Sequence, residues 1–148
     1  MHEASAFSLQ ALPPGNRGLP HQRLLVSADG QGGVRVDGDD LLRQYDCGDT
    51  FLVITCCDYL DGVSHWFHLV DRGGRVMDVV STPDTFGFLQ HDTVDAPHQI
   101  SFGFFGSPLR WALDIDQAGH RSFGWGDVRI RPLRFVARRR YLALHRLG

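Results

Sequence analysis

The sequence predicts a mainly β fold, in which an antiparallel meander forms a small barrel or sandwich and one amphipathic helix follows at the C-terminus. Three observations support this prediction. Between Asp49 and Trp125, apolar runs rich in β-branched residues alternate with polar turns that contain glycine. From residue 102 to residue 125, large apolar side chains recur with the period of two that is typical of strands. Only the last segment, 132–147, spaces its apolar residues as a helix does.

Length and composition indicate one folded domain. The chain has 148 residues, of which 43% are hydrophobic and 22% charged, as in soluble globular proteins. Prolines at both ends of the stretch 13–20 interrupt the N-terminal segment, because proline removes a backbone donor and fixes φ. We therefore predict an irregular N-terminal arm over residues 1–22 and a single β-rich domain over residues 23–148, which includes the helix at 132–147.

The first half of the domain is predicted to form short strands around one long central strand. Residues 51–57 make the strongest strand, because the run is continuous, apolar and rich in β-branched side chains, which indicates burial on both faces. Glycines in the turn 71–74 supply the positive φ angles that a hairpin needs. The strands predicted in this half are 23–27, 34–36, 51–57, 65–70 and 75–81, while 41–45 is ambiguous.

The second half is predicted to continue the meander. A bent strand at 86–94 ends before Pro97, and strands at 98–106, 110–116 and 121–126 follow. Their regularly spaced apolar residues form the predicted core. An aromatic platform that stacks nucleic-acid bases is the alternative, but such platforms need basic neighbours, which are few in these strands. The predicted core residues are Phe102, Phe104, Trp111, Leu113, Ile115, Phe123 and Trp125.

The C-terminal segment predicts a helix for two reasons. Pro132 suits a first helical position, where its missing N–H is not needed. Apolar residues from Leu133 to Leu147 fall near one helical face, and the arginines fall largely on the others. Arginines near the C-terminus also suit the helix dipole.

Charge is divided unevenly along the chain, although the formal net charge is only −2. Residues 29–95 contain 13 Asp and 4 Arg, a net charge of −9, whereas residues 121–148 contain 8 Arg and one Asp, a net charge of +7. These charges either cancel within the fold or leave an acidic face and a basic end, which would favour a charged protein partner or self-association. Arg138 and Arg139 are candidate binding residues of the basic end. The sequence pI near 6.4 argues against nucleic acid as a partner.

The cysteines and the apolar runs indicate a cytoplasmic protein. Cys47, Cys56 and Cys57 are odd in number and two of them are adjacent, which makes a poor disulfide framework. The N-terminus lacks the basic start and apolar run of a signal peptide. No apolar run approaches the ~20 residues that span a bilayer, so we expect no membrane span.

The densest group of reactive side chains lies between Cys56 and His68. If the strands on either side of the 58–64 loop pair, Cys57 and His68 share a face as diagonal neighbours. They are the catalytic candidates, since an imidazole beside a thiol can stabilise the thiolate nucleophile. The alternative is that the cysteines pack as small hydrophobic residues. The candidate binding residues of this hairpin are Asp58, Asp61, His65 and Trp66.

The sequence predicts no metal site and no cofactor. His65 and His68 in a strand point to opposite faces, so they cannot easily share one ion. The acidic turns at 37–40 and 58–64 lack the twelve-residue pattern of a calcium loop. Glycines at 30–33 lead into a strand and not into a helix, which does not fit a phosphate-binding loop.

These observations favour a non-catalytic binding or interaction module of unknown ligand, with a charged protein as one possible partner. Two alternatives remain open. One is a small hydrolase or transferase with its site at the 56–68 hairpin. The other is a self-assembling structural subunit.

Overall fold

The structure, a computed structural model, describes residues 1–15, 18, 20–30, 32–82, 86–125 and 135–148. Side chains are described for all of these except 122–125 and 135–138. Within this part of the chain, every regular element is a β-strand, and no helix is found that could span a membrane. The strands are β1 (His2–Glu3), β2 (Phe7–Gln10), β3 (Gln22–Ser27), β4 (Gly33–Asp37), β5 (Asp40–Asp46), β6 (Thr50–Tyr59), β7 (Gly62–Asp71), β8 (Val76–Ser81), β9 (Leu89–Ala96), β10 (Gln99–Phe104), β11 (Arg110–Trp125) and β12 (Phe135–Leu147).

The described strands form three open antiparallel sheets and no closed barrel. This confirms the mainly β, antiparallel class. The central sheet has five strands in the order β1-β5-β6-β7-β8. A four-stranded sheet, β12-β11-β10-β9, covers one of its faces, and a three-stranded sheet, β2-β3-β4, covers the other. The link from β4 to β5 carries the chain from the three-stranded sheet to the central sheet.

The middle of the central sheet is buried on both faces, as the apolar run 51–57 predicts. Leu52 and Ile54 of β6 pack against the four-stranded sheet, whereas Val53 packs against Phe7 and Leu25 of the three-stranded sheet. All three β6 residues are fully shielded from solvent. Burying one such side chain stabilises a fold by about 1.5–3 kcal/mol, so β6 anchors both layers.

Most of the predicted aromatic core is confirmed. Phe102 and Phe104 are buried with Leu113 and Ile115 between the central and four-stranded sheets, and Trp111 packs against this cluster while half-buried. The ring of Phe102 stacks on that of Phe67 with 5.0 Å between centroids. The side chains of Phe123 and Trp125 lie outside the described residues.

The predicted C-terminal helix is wrong. Residues 135–147 form strand β12, which pairs with β11 from Trp125 opposite Phe135 to Arg110 opposite Leu147. Helical spacing of the apolar residues gives way here because β11 offers a long antiparallel ladder of backbone partners, which only a register shift between Ile115 and His120 interrupts. Residues 132–134 of the predicted helix lie outside the described residues.

A buried carboxylate joins β12 to the central sheet. Asp78 of β8 is fully buried, and its Oδ2 accepts hydrogen bonds from the backbone N–H groups of Tyr141 (2.7 Å) and Leu142 (3.0 Å). Its Oδ1 accepts from the N–H of Val79 and lies 3.4 Å from Nε of Arg140. These partners compensate for the burial of the charge.

The N-terminal segment, predicted to be an irregular arm, contains β1 and β2. The Gln44 side chain accepts hydrogen bonds from the N–H groups of Ala6 (2.9 Å) and Phe7 (2.8 Å) and donates one to the carbonyl of Phe7. Phe7 itself is buried against Phe51 in an edge-to-face contact. A buried amide and an aromatic anchor therefore order this segment despite the prolines that follow it.

Candidate metal centre

Three side chains that are distant in the sequence converge where the three-stranded sheet meets the central sheet. His21 directly precedes β3, Asp39 lies in the link between β4 and β5, and Cys57 lies near the end of β6. Cys57 Sγ is 3.1 Å from His21 Nδ1 and 3.2 Å from Asp39 Oδ2, and His21 Nδ1 is 2.7 Å from the same oxygen. We call this group the His–Asp–Cys cluster.

The backbone around the cluster adopts uncommon conformations that fix its geometry. His21 has a φ of 65°, a left-handed conformation that costs a non-glycine residue about 1–3 kcal/mol. Its carbonyl accepts a hydrogen bond of 2.8 Å from the N–H of Gly38, which has a φ of 109°. A Cβ on Gly38 would lie 2.6 Å from Oγ1 of Thr55. The N–H of Asp39 then donates to the carbonyl of Cys56 at 2.7 Å, so the turn is held against β6.

The charges around the cluster favour an ionised carboxylate and a protonated thiol. The hydrogen bond from His21 lowers the pKa of Asp39 against the opposing effect of burial, and the Cys57 hydrogen bond and the Arg23 charge lower it further. Arg23 also forms an ion pair with Oδ1 of Asp39. Burial, and then the hydrogen bond to Asp39, raise the pKa of the Cys57 thiol.

The exposure of the cluster suits a ligand that arrives from solvent. The His21 side chain is 39% exposed and that of Asp39 26%, whereas Cys57 is 1% exposed. Tyr59 borders the cluster, with its ring edge-to-face with the His21 ring at 5.1 Å. The sulfur thus forms the floor of the cluster, and the imidazole and carboxylate form its rim.

The donor atoms fit a small transition metal ion. The three potential ligand atoms lie within 4.8 Å of one another. Around a tetrahedral zinc ion, such atoms would be about 3.3–3.6 Å apart, given bonds of about 2.0–2.3 Å. An opening of the His–Asp–Cys cluster by about half an ångström would bring its donor atoms to the spacing of zinc ligands. Three protein ligands leave a fourth position for water or another ligand.

The same geometry does not form a catalytic relay. In a nucleophile–histidine–carboxylate triad, the nucleophile and the carboxylate contact different ring nitrogens. Here the thiol and the carboxylate both contact Nδ1 of His21. The raised pKa of the Cys57 thiol also opposes formation of a thiolate nucleophile.

Cys57 belongs to the cluster, but the predicted pairing of Cys57 with His68 is wrong. The strands pair with Cys57 opposite Ser64 and Val53 opposite His68, so Thr55 separates the two residues on that face. Nε2 of His68 lies 3.0 Å from Oγ1 of Thr55. Burial lowers the pKa of His68 to about 4. His68 is therefore a neutral core histidine.

The other predicted binding residues of the hairpin do not converge. His65 lies on the opposite face, with its ring 4.8 Å from that of Phe104, and neither ring nitrogen has a hydrogen-bond partner among the described residues. Trp66 is half-buried, and Asp58 and Asp61 are exposed at the hairpin tip. At the basic end, Arg139 is exposed on β12, and the side chain of Arg138 lies outside the described residues.

Sequence reasoning missed His21 and Asp39. His21 follows Pro20 in a segment predicted to be irregular, where no periodicity marks its position. Asp39 lies in the acidic turn 37–40, which lacks the pattern of a calcium loop and otherwise has the composition of an ordinary turn. The sole signal in the sequence is that a histidine and an aspartate lie in the turns on either side of the β3–β4 hairpin. Only the stacking of the three-stranded sheet on the central sheet brings these residues to Cys57.

An open groove of about 470 Å³ lies elsewhere, between the turns after β3 and β7. Arg72 lines it, but the Arg72 guanidinium is engaged by Asp46 and the carbonyl of Gly48 and lies 4.2 Å over the Phe51 ring. The groove therefore offers no unengaged charge at Arg72 for a ligand.

The chain matches no protein-family model, no curated protein and no solved structure.

Proposed function

We propose that the protein is a non-catalytic binding module whose ligand is a divalent transition metal ion, held by His21, Asp39 and Cys57. The observation that carries this proposal is the convergence of one nitrogen, one oxygen and one sulfur donor within 4.8 Å. The sequence favoured a binding module of unknown ligand. The cluster supplies the chemical class of that ligand, and Cys57 acts as a ligand and not as a nucleophile.

The donor set selects the kind of metal. Thiolate and imidazole are borderline or soft ligands that suit zinc, copper, cobalt or nickel, whereas calcium and magnesium prefer oxygen alone. A bound thiolate and carboxylate together neutralise the charge of a divalent cation. The proton on the Cys57 thiol would leave on binding, so metal binding releases a proton at this site.

Neighbouring residues support the ligands. Arg23 holds Oδ1 of Asp39, which leaves Oδ2 directed at His21 and Cys57. Partners of this kind orient metal ligands and raise the affinity of a site by about 10- to 100-fold. The left-handed backbone at His21 is consistent with such a role, since strained conformations cluster at functional positions.

A metal-dependent hydrolase is the second candidate function, and the open fourth position favours it. A zinc ion with three protein ligands can lower the pKa of a bound water to about 7. This candidate corresponds to the hydrolase predicted at the 56–68 hairpin, with the metal and not the thiol as the reactive centre. Turnover of model esters by the zinc-loaded protein, absent from the zinc-free protein, would favour it over a pure binding role.

Cobalt titration tests the proposal. Under reducing conditions, the wild-type protein should bind one Co²⁺ and develop a thiolate-to-cobalt charge-transfer absorption. Cys57→Ser should abolish that absorption, and His21→Gln should weaken binding at least tenfold. Cys56→Ala is the matched control, because the adjacent Cys56 thiol is equally buried but points to the other face of β6. Absent absorption in the wild type, or equal absorption in Cys57→Ser, would refute the proposal.

A further inference from the structure

The C-terminal hairpin extends beyond the sheet to which it belongs. Strand β10 pairs with β11 only over Arg110–Asp114, whereas β12 pairs with β11 as far as Trp125. Among the described strands, none pairs with the part of β11 after His120 or with the facing part of β12. We call residues 120–125 and 135–140 the ribbon.

The ribbon places like charges directly opposite each other. Arg121 of β11 faces Arg139 of β12, and both are exposed. The preceding pair is His120 opposite Arg140. Like charges directly opposite each other in a sheet destabilise the pairing of the strands. Within the described part of the chain, no carboxylate forms an ion pair with Arg121 or Arg139. An anionic partner would remove this repulsion.

Guanidinium chemistry defines the partner. All 15 basic residues of the chain are arginine, whose planar fork matches carboxylate or phosphate in a bidentate manner. Arg139 is partly oriented already, since it donates to the carbonyl of Ala118 and lies 5.8 Å from the Tyr141 ring centre. The pair therefore presents two neighbouring cationic groups at the surface of the ribbon.

The chain itself carries a complementary surface. At the tip of the β6–β7 hairpin, Asp58 and Asp61 are exposed and flank Leu60, which is fully exposed. This tip belongs to the segment 29–95, whose net charge is −9. An exposed leucine between two carboxylates offers both apolar contact and ion pairing, the two components of a specific interface. The short chain segment 58–61 is called the tip.

We infer that the ribbon of one copy docks on the tip of a second copy, so that the protein self-associates head to tail. A second copy is favoured over nucleic acid as the partner of the ribbon, because the rest of the molecule is acidic and would repel a phosphate backbone. A head-to-tail contact uses two different surfaces of each copy, so association continues with concentration unless it closes into a ring. This inference does not rest on metal binding, since none of the three residues of the His–Asp–Cys cluster lies in the ribbon or the tip.

Charge-swap variants test the inference. One variant carries Arg121→Glu with Arg139→Glu on the ribbon, and the other carries Asp58→Arg with Asp61→Arg on the tip. Each variant alone opposes like charges and should remain monomeric. In an equal mixture, the ribbon of each variant meets a tip of opposite charge on the other variant. The mixture should therefore associate as the wild type does. Arg75→Glu with Arg146→Glu is the control for the ribbon variant, because it lowers the net charge by the same amount while leaving the ribbon and the tip intact.

Sedimentation velocity supplies the measurement. In about 0.1 M salt, the mean mass of the wild type and the control should rise at least twofold with concentration, and in about 1 M salt it should return to that of the monomer. Circular dichroism confirms that each variant is folded. A monomeric wild type in low salt, a ribbon variant that associates like the wild type, or a mixture that stays monomeric would overturn the inference. A monomeric wild type that instead binds a short DNA duplex through Arg121 and Arg139 would also overturn it.

Discussion

Sγ of Cys57 lies 3.1 Å from Nδ1 of His21, although the two residues are 36 positions apart in the sequence. The contact crosses from the central sheet to the three-stranded sheet and is completed by Asp39. It joins a buried sulfur to a partly exposed imidazole and a partly exposed carboxylate.

Zinc should stabilise the folded protein. A ligand that binds only the folded state at 100 times its dissociation constant contributes about 2.7 kcal/mol. For a domain of about 150 residues this corresponds to a rise in Tm of about 5–11 °C. Differential scanning calorimetry with and without zinc, in the presence of a reductant, measures the shift.

The same scans on variants identify the site. Cys57→Ser should lose most of the zinc-dependent rise in Tm, whereas Cys47→Ser should keep it, because Cys47 is buried in the other core and does not contact the cluster. A zinc-dependent rise that survives in Cys57→Ser would show that the ion binds elsewhere.

Gly38→Ala should damage the cluster more than an ordinary glycine substitution. The φ of Gly38 is 109°, and a Cβ there would meet Thr55 at 2.6 Å. Strain and overlap together should lower the free energy of unfolding by about 2–4 kcal/mol and weaken zinc binding, since Asp39 is the next residue. Gly30→Ala is the matched control.

Gly30 also has a positive φ, of 72°, but a Cβ there would meet no atom within 4 Å. Its substitution should lower the free energy of unfolding by only about 1 kcal/mol and leave zinc binding unchanged. Urea unfolding and zinc titration of both variants make the comparison. Equal losses in the two variants would show that the overlap with Thr55 is unimportant.

How much of this could be predicted from the sequence depends on the range of the interactions. Strand β6 was predictable because a continuous apolar run from Phe51 to Cys57 indicates burial on both faces. Strand β12 was not, because three consecutive arginines, 138–140, hide the alternation of a strand, and the leucines after them fit a helix equally well. The ladder with β11 and the carboxylate of Asp78, which is 63 residues from Tyr141 in sequence, decide the conformation there.

The candidate site was predictable only in part. Cys57 is a candidate in the sequence because it lies in a hairpin rich in reactive side chains. The register of that hairpin, however, places the pair Thr55 and Trp66 between Cys57 and His68 on the same face. His21 and Asp39 depend on how the three-stranded sheet stacks on the central sheet. No local pattern encodes that stacking, because the turns that carry these residues resemble ordinary surface turns.

Buried histidines should make the protein sensitive to acid. Burial lowers the pKa values of His65 and His68 to about 4, below the unfolded value of 6.5. Between these values the unfolded chain binds more protons than the folded chain, so stability is complete above about pH 6.5 and falls as the pH decreases towards 4. From pH 7 to pH 5, each histidine should reduce the free energy of unfolding by about 2 kcal/mol.

Urea unfolding at the two pH values tests this expectation. His65→Leu should remove about half of the pH-dependent loss, because leucine fills a similar volume without a titratable group. His98→Gln, at an exposed position, should leave the loss unchanged. An identical pH dependence in His65→Leu and the wild type would mean that His65 does not take up a proton on unfolding.

Asp78→Asn should loosen strand β12. The amide keeps one acceptor oxygen but loses the charge that Tyr141, Leu142 and Arg140 face. We expect the free energy of unfolding to fall by about 3 kcal/mol, with faster hydrogen exchange at the β12 amides than at those of β6. Asp49→Asn, at an exposed turn, serves as the control and should change stability by less than about 0.5 kcal/mol. A fall of similar size in both variants would contradict the role of Asp78.

X-ray absorption spectroscopy at the zinc edge tests the central claim most directly, because it reports the atoms bound to the metal. The zinc-loaded wild type should show one sulfur at about 2.3 Å and a mixture of nitrogen and oxygen atoms at about 2.0–2.1 Å. In Cys57→Ser the sulfur should disappear from the first coordination shell. A shell without sulfur in the wild type would contradict the assignment of His21, Asp39 and Cys57 as a metal centre.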